Sequence, residues 1–214
     1  ALRGSGTINA PFRGDGTAQL IAEGATLTLN GAIQAVGAIG TSGAGAVLNV
    51  TNPWNTNVAG LVVLDEGLIQ GAGITNDGPG VRGRGAITAP INNNSSIVST
   101  TPGTLRIANA ANEWDGGANT GVLRATQGVL ELNDNATFLF NGTVQADGGT
   151  VFANGFELEF EPASALTLSV GTYRSTSGTD IGGTVTVLAG ASRLEIAGTT
   201  VFEATSASTL TGTL

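Results

Sequence analysis

The side chains that could do chemistry here are almost all carboxylates. Glu157, Glu159 and Glu161 alternate along one short segment, Asp65 and Glu66 are adjacent, and Glu113 lies two positions from Asp115. Several carboxylate oxygens in a row are what calcium takes, and they also suit a basic partner. Two carboxyls facing each other across a cleft are what glycoside hydrolysis needs. The Gly-Gly-x-Gly-x-Asp nonapeptide of calcium-binding coils is missing, so the glutamate row is read as a solvated outer face that limits lateral aggregation. The other two pairs fall in turn-like stretches with no sign of a cleft. No catalytic, cofactor-binding or metal-ligating residue is therefore assigned.

Other motifs reduce to local structure in the same way. Gly78-Pro79-Gly80-Val81-Arg82-Gly83 fits the spacing G-x-G-x-x-G. A dinucleotide site needs a helix after it within a strand-helix-strand unit, and no helical pattern follows. Arg13-Gly14-Asp15 spells a receptor-adhesion tripeptide, read as coincidence in a glycine-rich chain. The triplets beginning at Asn49, Asn93, Asn94, Asn135 and Asn141 fit the glycosylation pattern but carry little weight where Asn and Thr are abundant. Trp54 and Trp114 could stack on sugar rings if exposed. Their recurrence at one place in a repeat favours packing.

The missing residue types narrow the chemistry further. There is no His, Cys or Met, and all eight basic residues are Arg, against 16 acidic ones. Without His the chain lacks the commonest general base and metal ligand, and without Cys it has neither disulfides nor thiolate sites. A net charge of −8 repels phosphate backbones and excludes nucleic acid as a partner. No apolar run approaches the ~20 residues of a membrane helix, so no membrane span is expected. Sparse charge with abundant Thr, Ser, Asn and Gly suits a protein outside the cell. The chain starts at Ala1, which suggests a processed product or a segment of something longer.

The elements that hold these residues are strands. Ala25-Thr26-Leu27-Thr28-Leu29, Val129-Leu130-Glu131-Leu132, Arg193-Leu194-Glu195-Ile196 and Phe156 to Glu161 all alternate apolar and polar residues. Alternate side chains of a strand point to opposite faces, so Phe156, Leu158 and Phe160 are expected inside and Glu157, Glu159 and Glu161 outside. No window carries a helical i, i+3, i+4, i+7 stripe. Gly, Asn and Asp bound the strings, as at Asn30-Gly31, Asn76-Asp77-Gly78 and Asp147-Gly148-Gly149, and these residues suit tight turns.

Internal repeats decide the architecture. Residues 3–11 match 82–90, 30–37 match 141–148, and Asn49 to Trp54 match Asn109 to Trp114. The offsets differ, so the unit is short, one rung of roughly 20 residues with insertions between copies. A coil that cannot bury its own apolar face stacks on the next. The expected fold is all-β, a right-handed parallel β-helix of about ten rungs. Residues 1–214 would form a single β-solenoid domain, with rungs about 4.8 Å apart and a rod of roughly 50 Å.

Residues 47–70 and 104–132 resemble the autotransporter-associated β-strand repeat of bacterial type V passenger domains. The first copy reads Val47 to Val50, Asn52-Pro53-Trp54, Val58 to Leu64, Gly67, Leu68-Ile69. The second reads Leu105 to Ile107, Asn112-Glu113-Trp114, Val122-Leu123, Gly128, Val129 to Leu132. Residues 166–196 resemble a diverged copy, with Tyr173 in the aromatic slot and Gly183 to Val187 as the next strand. The resemblance implies a β-helix exported from a Gram-negative cell, with no shared catalytic residues. The aromatic-girdled strands of the family's membrane barrel are not found in this sequence.

The resulting expectation is a non-enzymatic fibre or adhesin-stalk segment without cofactors, located outside the cell or on its surface. A carbohydrate-binding or carbohydrate-cleaving β-helix is the alternative. An ice- or mineral-binding face would need Thr-x-Thr rows at a fixed rung length, and Thr26-Leu27-Thr28 and Thr184-Val185-Thr186 are irregularly spaced. Neither Ala1 to Pro11 nor Leu210 to Leu214 reads as a terminal cap. The ends are therefore expected to continue, into further repeats or by head-to-tail self-association into filaments, with surface or glycan contact along the rod.

Overall fold

The computed structural model describes residues 1–114, 121–133, 138–188, 190–203 and 206–210. Helix is confined, among these residues, to one 3-10 turn, Thr56–Val58. The rest is strands and corners, as the alternating pattern requires. The fold is a parallel β-solenoid of about nine turns, close to the expected ten.

Each turn contributes strands to three faces. On the first, the inward residues Leu20, Ile39, Val62, Val81, Ile97, Leu123, Val144, Leu166 and Val185 are successive register partners. All are at most 1% exposed. On the second, Leu48, Ile69, Ile87, Ile107 and Leu132 stack likewise. The third runs Trp54–Ile74–Ile91 in the first half and Phe140–Phe160–Ile181 in the second. These ladders meet in one apolar core. Phe160 packs edge-on against Phe140 and Tyr173, at ring separations of 5.7 and 5.9 Å.

Rung length varies while register does not. Leu123 pairs with Val144 and Val144 with Leu166, advances of 21 and 22 residues. Val81 to Ile97 takes 16 residues, and Ile97 to Leu123 takes 26. The first-face register is kept across these unequal steps, which is why the repeat offsets in the sequence disagree.

The repeats seen in the sequence keep their places in this architecture only in part. Both long matches pass from the second face to the third, the first and the second again. Residues 3–11 and 82–90 share a sharp corner at which one strand, Leu2–Ile8 or Val81–Ile87, passes from the first face to the second. Gly83 and Gly85 hold φ of 126° and 129° there, which side chains with a Cβ rarely adopt. A Cβ on them would lie 1.9 Å from the Leu64 carbonyl oxygen and 2.4 Å from that of Gly67. Asn30, from another match, sits in a corner ladder. Its Nδ2 donates to Asn9 Oδ1 at 2.7 Å, and its Oδ1 accepts from the Thr51 hydroxyl at 3.2 Å.

Three repeat assignments shift. Ile33 pairs with Phe12 in a short separate sheet, whereas its match Val144 lies on the first face. Trp54 pairs with Ile74, whereas the bridge between Asn92 and Glu113 sets Trp114 level with Asn93, two positions further along the face. The 17-residue step from Ile74 to Ile91 is too short to preserve the slot. Tyr173 lies on the second face, between Val151 and Leu194, and not in a slot like that of Trp54. Its buried hydroxyl reaches Thr179 Oγ1 across the core at 3.2 Å, the partner a buried phenol needs.

Candidate functional site

The glutamate row is placed as its alternation predicts. Phe156, Leu158 and Phe160 are buried, and Glu157, Glu159 and Glu161 point out from the third face. Stacking adds charges from later rungs. Glu159 is level with Asp180, and the Glu203 backbone N–H donates to Ile181. The Glu159 carboxyl is held above its ordinary value, first by partial desolvation and then by Asp180, Glu203, Glu157 and Glu161. Among the described residues no group of three acidic side chains is arranged to hold a metal ion.

The other acidic candidates serve as ties between rungs. Arg84 Nη2 lies 3.0 Å from Asp65 Oδ1 and 3.1 Å from Glu66 Oε1. Glu113 accepts a hydrogen bond from Asn92 Nδ2. Asp115 and Asn135 lie outside the described residues. Gly78 donates its N–H to the Thr56 hydroxyl, and a strand rather than a helix follows at Val81–Ile87, so this glycine run is a corner.

Arg13-Gly14-Asp15 is also built into the rung. Gly14 N–H donates to the Gln34 carbonyl at 2.9 Å. Asp15 Oδ1 accepts from the Thr17 N–H and hydroxyl and from the Ala18 N–H. These bonds hold the Asp15 carboxyl below its ordinary value, that of the Thr17 hydroxyl foremost. Asn93 is 1% exposed and closed to glycosylation. Trp54 and Trp114 are 8% and 3% exposed, and so cannot offer a ring face to a sugar.

Sequence reading missed a hollow of about 240 Å³ on the third face. Two outward columns border it. Pro53, Gly73, Pro90 and Ala111 form one wall, and Thr75, Asn92 and Glu113 the other. Register builds both walls: Trp54 pairs with Ile74 and Ile74 with Ile91, so the residues on either side of them align up the rod. The prolines fit because these positions sit at the corner, outside the strands Trp54–Asn55, Ile74–Asn76 and Ile91–Asn93.

No protein-family model, curated protein or solved structure matches the chain. Function is therefore read from the geometry of this rod. Its second face carries an outward column in which Arg106 lies 3.9 Å from Glu131 and Arg174 sits 5.0 Å over the Phe152 ring. Its third face turns acidic towards the last rungs.

Proposed function

We propose that the chain is a non-enzymatic structural segment of a bacterial extracellular fibre or surface-adhesin stalk. The observation that carries this reading is the register. Apolar ladders on three faces run from rung to rung, and every rung hydrogen-bonds to the next in parallel. Such a stack gives length and stiffness, and it leaves few strand ends for a protease. The lack of Cys and Met suits an oxidising exterior. The resemblance to autotransporter repeats favours export from a Gram-negative cell.

The last described rungs leave Val201 and Phe202 44% and 52% exposed. Phe202 continues the Phe140–Phe160–Ile181 ladder. A further rung laid there would cover Phe202, whether it comes from the same polypeptide or from another copy stacked head to tail, while Val201 faces out in the column of Asp180.

Negative-stain microscopy tests the stalk reading. Nine turns at ~4.8 Å give a rod on the order of 40 Å long, alone or in end-to-end multiples, that resists proteinase K. Isometric particles or rapid internal cleavage refute it.

A further inference from the structure

We propose that the hollow on the third face binds an uncharged glycan chain lying along the rod axis. The proposal goes beyond the stalk reading and does not depend on it. It starts at Gly73. Glycines at many corners of this fold are forced, as at Gly71, where a Cβ would lie 2.1 Å from the Val50 carbonyl oxygen. Gly73 has no such constraint. Its φ is not positive, and a Cβ there would meet only the Pro90 carbonyl oxygen, at 3.8 Å. The fold would accept a side chain at this position. Glycine keeps the notch between Pro53 and Pro90 open.

The walls indicate the ligand class. Asn92 donates from its Nδ2 to Glu113 and keeps its Oδ1 enclosed behind the wall. The Glu113 carboxylate beside it accepts only, and the Thr75 hydroxyl completes the row. The accessible Glu113 carboxylate and Thr75 hydroxyl call for a ligand that can donate, as sugar hydroxyls do. Pro53, Pro90 and Ala111 opposite offer an apolar surface to the C–H face of a ring. No Arg lines the hollow and Glu113 repels anions, which disfavours uronic and sulfated sugars. Its volume is below the ~300 Å³ at which drug-sized sites begin, so it holds about one ring. Neighbouring rings of an extended glycan follow the columns, since one sugar advances a chain by about the height of a rung, ~4.8 Å.

Affinity electrophoresis tests this on the full chain. Native gels would contain a neutral α-glucan, β-glucan, mannan or galactan, with polygalacturonate as the anionic comparison. At least one neutral polymer should retard the protein, with a dissociation constant per site of ~mM. Gly73→Leu, which fills the notch, should abolish the retardation. Glu113→Gln should weaken it about tenfold. Both variants should keep the wild-type urea midpoint. Retardation by no neutral polymer, retardation by polygalacturonate alone, or equal retardation of wild type and Gly73→Leu overturns the proposal. Rod length in the microscope is unaffected by any of these outcomes.

Discussion

Phe160→Ala should be among the most damaging single substitutions in this chain. Phe160 is 2% exposed. Truncating a buried Phe to Ala costs ~3–5 kcal/mol through lost burial and the cavity left behind. Phe160 also has edge contacts to Phe140 and Tyr173, each worth ~0.5–1.5 kcal/mol beyond burial. The loss should therefore lie near the upper end of the range, ~5 kcal/mol. Glu159→Ala is the paired control, one residue earlier on the opposite face of the same strand and surrounded by carboxylates. It should cost nothing or stabilise. Urea titration followed by circular dichroism reads the difference as a large drop in midpoint for one variant only. Each rung touches only its neighbours, so hydrogen exchange should accelerate mainly in Phe138–Phe140, Leu158–Phe160 and Thr179–Ile181. Equal destabilisation by the two variants would falsify the register on which the core assignment rests.

Three further outcomes can be checked. Val170 holds φ 58° with its side chain 59% exposed, strain of ~1–3 kcal/mol for a branched residue, so Val170→Gly should raise the melting temperature. An unchanged or lower value contradicts that strain. Glu159→Gln should raise melting temperature at pH 7, and the gain should vanish below about pH 3, where the carboxyl is protonated in both states. The sign follows from a folded value raised above the ordinary one. Stability from the protonated group is complete below the unfolded value and lost as pH rises through the folded value. Gly83→Ala should destabilise strongly, whereas Gly73→Ala should be neutral or slightly stabilising, because the Cβ spaces at the two sites differ so much; matching melting curves for the two refute the assigned corner packing.

Much of the fold was legible in the sequence because period-two alternation encodes which way each side chain faces. Phe156 to Glu161 can be assigned to inside and outside by that rule alone, as can Leu130 and Leu132. The repeat of residues 3–11 at 82–90 was visible too, but its cause was not. Nothing local shows that Gly83 lies beneath the Leu64 carbonyl. Trp54 and Trp114 look equivalent in sequence and are offset in space, since alignment counts residues and the ladder counts rungs. The hollow escaped for the same reason. Pro53, Gly73, Pro90 and Ala111 come from four successive turns of unequal length, so no fixed spacing connects them. Charge was legible only in part. The row Glu157, Glu159 and Glu161 is plain, but Asp180 and Glu203 join it through stacking.

The tolerance of unequal turns also has an evolutionary side. Steps of 16 and 26 residues carry the same aliphatic ladder, so insertion or deletion between rungs can leave the first-face column intact. Gaps can then accumulate between rungs while selection holds only the identity of each rung's inward residues, and those interchange freely among Ile, Leu and Val. Lineages descending from one such rod would lose alignable spacing long before they lost the fold. Kinship among these chains should accordingly be sought in the order of faces and the chemistry of each column, which drift more slowly than residue-by-residue correspondence.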